Sequence, residues 1–87
     1  MADIHLSPRE TQVLQGIADG NNREYLASQL GITRMTLYYY TNSIRRKLGA
    51  NSTEEAVATA VALGLIHVDL NRVFIVIEIE RSLISSG

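Results

Sequence analysis

Apolar side chains recur at intervals of three and four residues through the first two thirds of the chain, and turn residues cut the pattern into four segments. Val13, Leu14, Ile17 and Ala18 form the first group, Leu26, Ala27 and Leu30 the second, and Leu37, Ile44 and Leu48 with Thr41 the third. Ala56, Val57, Ala60, Val61 and Leu65 form the fourth. At about 100° per residue each group falls on one helix face, so the pattern predicts four short amphipathic helices sharing one core.

The residues between the groups supply starts and stops. Ser7, Pro8 and Glu10 suit the N-cap, first and third positions of a helix: the serine can accept from the third amide, the glutamate can reach back to the cap amide, and proline lacks an amide only where none is needed. Asp19-Gly20 then ends the first helix. A second helix is expected over residues 23–30 after an Asn22 cap, with Asn21 and Glu24 as an equally legal capping pair. Gly31 breaks the chain and Thr33 can cap a third helix, which Gly49 ends. Ser52 and Glu55 predict a full capping box for a fourth helix, with Gly64 at its last turn.

Residues 33–49, TRMTLYYYTNSIRRKLG, carry the most distinctive chemistry. The stripe of Leu37, Thr41, Ile44 and Leu48 faces inward, which directs Tyr39, Asn42, Ser43 and Arg46 broadly outward. Tyr38 and Arg45 lie on one shoulder and Tyr40 on the other, near the core, so the three adjacent tyrosines have different roles. Tyr40 reads as structural and Tyr39 as the best exposed.

Charge strengthens the contrast. The 87 residues have a net charge of -1, which by itself argues against a nucleic-acid binder. Residues 33–50, however, hold four of the eight basic side chains and no acid, and such a local patch can face phosphate while an acidic remainder does not. The length suits one domain. The absence of cysteine excludes disulfides and thiolate chemistry. With no signal-peptide core and no apolar run long enough to cross a bilayer, a cytoplasmic, non-membrane protein is expected. His5 and His67 lack acidic neighbours at metal-ligand spacing and no glycine-rich phosphate loop exists, so neither an enzyme, a metal nor a cofactor is expected.

Only Gly31 and Ile32 separate the second and third helices, the compact arrangement of a helix-turn-helix. In this geometry Tyr38, Tyr39, Asn42 and Arg46 are candidates for base contacts: Asn42 to adenine, Arg46 to guanine, the tyrosines to thymine methyls or phosphate. Arg34, Arg45 and Lys47, joined by Arg9, Arg23 and the Thr33 cap, are candidates for phosphate contacts.

The segments Leu6-Ser7-Pro8-Arg9-Glu10, Val13-Leu14, Gly20, Leu26-Ala27, Leu30, Ile32-Thr33, Thr36-Leu37, Ile44, Lys47-Leu48-Gly49, Glu55-Ala56-Val57 and Gly64-Leu65-Ile66 resemble, in register and without a gap, the helix-turn-helix domain of LuxR/GerE-type transcription regulators. The resemblance implies an all-α, four-helix DNA-binding domain over residues 1–66, with the third helix in the major groove of double-stranded DNA and the fourth helping to form a two-fold dimer. Family members often carry a sensory domain upstream; with Met1 just ahead of the matched segments, a stand-alone form without one is expected. Lys47 matches the family's usual lysine and Thr33 its cap. Tyr38 stands where a lysine is usual, Tyr40 where a histidine is frequent, and Tyr25 where the second helix usually has glutamate.

Residues 67–87 lie beyond the resemblance and form a C-terminal extension. A helical reading uses Asp69 as cap and aligns Leu70, Val73, Ile77 and Ile84 with Phe74 alongside; a strand reading alternates Val73, Ile75, Ile77 and Ile79 against Phe74, Val76, Glu78 and Glu80. Local propensity favours the strand, but no partner strand is visible, so a fifth helix is preferred. Either form predicts a homodimer, with Ala56, Ala60, Val73, Phe74, Ile77 and Ile84 as candidate contacts. A sequence-specific transcription regulator acting as a dimer is the expected function. The alternative is a degenerate helix-turn-helix that uses Tyr38, Tyr39, Arg45 and Arg46 against another regulatory protein.

Overall fold

Each predicted start is occupied by a working cap. The computed structural model describes residues 4–68, which form α1 (Pro8–Ala18), α2 (Arg23–Leu30), α3 (Arg34–Leu48) and α4 (Thr53–Ala62). Ser7 accepts from the Glu10 amide at 3.1 Å while Glu10 Oε1 accepts from the Ser7 amide at 2.8 Å, completing the box at α1. At α2 the choice between two asparagines resolves to Asn22, whose Oδ1 accepts from the Tyr25 amide at 2.7 Å. Tyr25 occupies the third position without supplying the return bond, and its ring is exposed.

One cap departs from expectation. Ser52 accepts from the Glu55 amide at 3.1 Å, but Glu55 Oε2 accepts from Asn51, one residue before the cap, at 3.2 Å. The reciprocal half of the α4 box therefore ties down the incoming loop rather than the cap amide.

All four helices end in the same way. After each, a glycine amide and the next amide bond back to carbonyls three and five residues earlier, as Gly31 to Ser28 at 3.1 Å and Ile32 to Ala27 at 3.0 Å do after α2. This Schellman arrangement satisfies carbonyls that the helix leaves open, and it requires a left-handed residue at the turn. Gly31 supplies that conformation at φ 67°, which is what allows the chain to reverse direction within two residues.

α3 packs against all three other helices, and α1 against the other three as well. Their shared core is Leu6, Val13, Leu14, Leu26, Ala27, Leu37, Ile44, Leu48, Ala56, Ala60 and Ile66. Thr41 is the polar member of the α3 stripe, and its hydroxyl is satisfied by the Tyr38 carbonyl at 2.8 Å. Gly16 is buried where α1 meets α2: a β-carbon there would stand 2.5 Å from Leu26 Cδ1, so any larger residue would require the Leu26 side chain to shift.

α4 corrects part of the dimer expectation. Ala56 and Ala60 are fully buried within this chain's own core, because their small side chains let α4 lie close to its neighbours. They present no surface to a second copy. Val61, expected on the inner face, is instead 38% exposed. The tail residues Val73, Phe74, Ile77 and Ile84, and with them the fifth helix, lie outside the described residues. Among the described residues, no helix is long and apolar enough to cross a membrane.

Candidate nucleic-acid interface

α3 is held in place from its inner side and left open on its outer side. On the inner shoulder, Glu10 of α1 is almost completely buried and gathers three donors: the Ser7 amide, the Ser43 hydroxyl at 2.7 Å and the Lys47 ammonium at 2.7 Å. Burial pushes the Glu10 carboxyl up, but the Lys47 ammonium and the Ser7 and Ser43 hydrogen bonds outweigh it and lower the carboxyl from 4.5 to about 2. Glu10 is therefore ionised at neutral pH, and it ties the first turn of α1 to two successive turns of α3.

This network alters two sequence-based placements. Ser43, directed outward by the helical wheel, instead turns along the shoulder to Glu10. Lys47, a candidate for phosphate contact, has its ammonium in an ion pair, although its side chain remains 43% exposed. An open groove of about 330 Å³ runs along the same shoulder, with Glu10, Tyr39, Tyr40, Ser43 and Lys47 among its lining. Tyr40 is half-buried against the core, in line with a structural role.

The outer side has a different character. Thr33 caps α3 by accepting from the Thr36 amide at 3.0 Å, and its exposed position and that of Arg34 mark the start of the helix. Tyr38 is 60% and Tyr39 64% exposed, with ring centroids 6.4 Å apart and planes tilted by 59°. Met35, one turn earlier, is 67% exposed and is not among the contact residues expected from the sequence. The signal was available, because position 35 precedes 38 and 39 by the three and four residues that make helix neighbours. Asn42 is half-buried, and together with Arg45, Arg46 and Ala50 it lines a shallow open cavity of about 240 Å³.

The remaining cations occupy several different positions. Arg46 is exposed. Arg45 is half-buried, and its Nη2 donates to the Asn51 carbonyl at 3.3 Å, bracing the loop after α3. Arg23 Nη2 reaches the Thr53 hydroxyl at 3.4 Å, bridging α2 to the start of α4. Arg9 is half-buried in the first turn of α1. The structure thus brings Asn42, Arg45 and Arg46 together and puts Met35, Tyr38 and Tyr39 on an adjoining surface.

Comparisons with known proteins agree with this architecture. The family model described as bacterial regulatory proteins, luxR family, matches residues 5–60. The transcriptional activator protein PhzR of Pseudomonas fluorescens is 41% identical over 64 residues, 74% of this chain and 26% of that protein. The transcriptional regulatory protein YdfI of Bacillus subtilis is 37% identical over 67 residues, 77% of this chain and 32% of that protein. The chain therefore spans about a quarter to a third of the length of these relatives. Among solved structures, a Vibrio cholerae VqmA complex with ligand and DNA aligns with a TM-score of 0.68 at 28% identity, over 75% of this chain and 28% of that one. The transcription factor GerE shares the fold, with a TM-score of 0.71 at 23% identity over 74% of this chain and 96% of that one. On the match of the family model to well over half of its residues, the chain belongs to the LuxR family of bacterial regulatory proteins.

Proposed function

We propose that this protein is a sequence-specific, double-stranded DNA-binding transcription regulator that acts as a dimer, with α3 lying in the major groove. The observation that carries the reading is the outer side of α3: a helix without an acidic residue, packed on its inner side by the whole domain, whose exposed aromatic and guanidinium groups, with the half-buried Asn42 amide, can meet base edges. Family membership and the names of the relatives point the same way.

Arg34 and Arg46 are the principal phosphate or base-pairing cations in this reading. Thr33, Arg23, Arg45 and Lys47 assist from positions where part of their hydrogen-bonding capacity is already engaged within the domain, and Arg9 assists from the first turn of α1. Each phosphate neutralised adds about 0.9 to the salt slope on duplex DNA, so a single copy with few contacts binds weakly at physiological salt. A two-fold dimer doubles the contacts and places half-sites about one helical turn apart. Selection from random duplex DNA by the purified protein is expected to return an inverted repeat, and gel shifts of the winning duplexes should lose affinity with Arg46→Ala. Failure to enrich any duplex, or unchanged affinity after joint replacement of Arg45 and Arg46 by alanine, would overturn it.

A second reading draws on the exposed rings of Tyr38 and Tyr39, since tyrosine with arginine also forms protein-binding hot spots. It predicts stable capture of another regulatory protein and no selected duplex.

A further inference from the structure

Resting on the DNA-reading role of α3, we infer that the first half of this helix recognises thymine methyl groups, with Met35 as an additional specificity-determining residue. At about 100° per residue, Met35 and Asn42 lie on one line along the helix, with Tyr38 and Tyr39 to either side. The exposure of Met35, Tyr38 and Tyr39, at 67%, 60% and 64%, gives three large apolar surfaces on one outward face. Four residues of helix rise about 6 Å, close to two base-pair steps of about 3.4 Å each. The patch therefore covers two or three adjacent base pairs.

The chemistry of the patch selects its ligand. Among base edges in the major groove, thymine alone offers a methyl group, at C5, while guanine, adenine and cytosine present mainly hydrogen-bonding atoms. A thioether has no charge and almost no hydrogen-bonding capacity, so over a polar edge Met35 would strip water from that edge and return nothing. Over a methyl, both surfaces leave water together. The tilted Tyr38–Tyr39 pair has few side-chain torsions to freeze and offers its ring faces at low entropic cost. Charge complementarity identifies duplex DNA as the occupant: Arg34 begins the helix, Arg45 and Arg46 stand in its last turn beside the Lys47 that Glu10 holds, and the helix itself carries no carboxylate. Asn42, one turn beyond the tyrosines, has the amide suited to the adenine that accompanies thymine in such a run.

The half-site is thus expected to contain two or three adjacent A·T pairs under the first half of α3. The test replaces thymines singly with deoxyuridine in the duplex recovered by selection, which removes one methyl and leaves every hydrogen bond. About fourfold weaker binding is expected for each methyl under the patch, the equivalent of one buried methylene-sized group. Met35→Ala should weaken binding to the thymine duplex and make the protein indifferent to uracil at one position, whereas Tyr38→Phe and Tyr39→Phe should keep their sensitivity. These positions are exposed, and circular dichroism of each variant checks that the helices remain. A selected motif that binds uracil and thymine duplexes equally overturns the inference and leaves the DNA-reading role standing. If Met35→Ala weakens both duplexes equally, the role of Met35 is overturned. If no duplex is enriched at all, both fall together.

Discussion

The two sides of α3 use their side chains in opposite ways. On the inner shoulder, Ser43 and Lys47 both terminate on Glu10, which in turn holds the Ser7 amide. On the outer side, Met35, Tyr38, Tyr39 and Arg46 stand exposed. The comparison teaches that one helix can be fixed in orientation by a set of residues distinct from those it presents. Substitutions on the inner side should therefore change stability, and substitutions on the outer side should change binding alone.

The largest effect should come from the deepest inner position. Ile44 has no exposed surface, and Ile44→Ala is expected to cost about 2–5 kcal/mol in chemical denaturation, enough to threaten folding of so small a domain. A loss below 1 kcal/mol would mean that the inner face is not packed as described.

Acid should weaken the shoulder next. Because the folded Glu10 carboxyl is lowered to about 2, its contribution is fully present above about 4.5 and is lost as pH falls through the interval down to about 2. By linkage this amounts to roughly 3 kcal/mol, and Glu10→Gln should flatten that part of the stability profile. An unchanged acid profile in the variant would show that Glu10 is not the group that titrates.

The outer side gives the complementary result. Arg46→Ala should reduce affinity for the selected duplex by about 1–3 kcal/mol if it pairs with guanine, with the loss concentrated at one base position. In the same variant, and in Tyr39→Ala, the denaturation midpoint should move by no more than about 0.5 kcal/mol in stability. Destabilisation by several times that amount would erase the distinction between the sides.

Much of this arrangement could be read from the chain because its determinants are local. Caps, stops and apolar spacing act over three to five residues, so Ser7, Asn22, Thr33 and Ser52 fall at the helix starts and Leu37, Ile44 and Leu48 fall inside. What could not be read depends on distance. Nothing near Glu10 announces Lys47, which lies 37 positions later, and the wheel that turned Ser43 outward had no knowledge of a carboxylate on a neighbouring helix. The Gly16 contact was hidden in the same way, since it is made with Leu26 across the interface. At α4, alanines that look like a surface for another copy are consumed by the domain's own packing, and only the assembled helices reveal which face of a short alanine-rich segment turns inward.

Beyond α4 the side chain of Gln15 behaves like a short stretch of backbone. Its Nε2 donates to the His67 carbonyl at 2.7 Å and its Oε1 accepts from the His67 amide at 3.0 Å, pairing both peptide groups of a residue that belongs to no helix. With Ile66 buried just before it, the cooperative unit extends five residues past the last residue of α4, Ala62. In amide hydrogen exchange, His67 should open together with α1, and Gln15→Ala should release it while the amides of α3 stay protected.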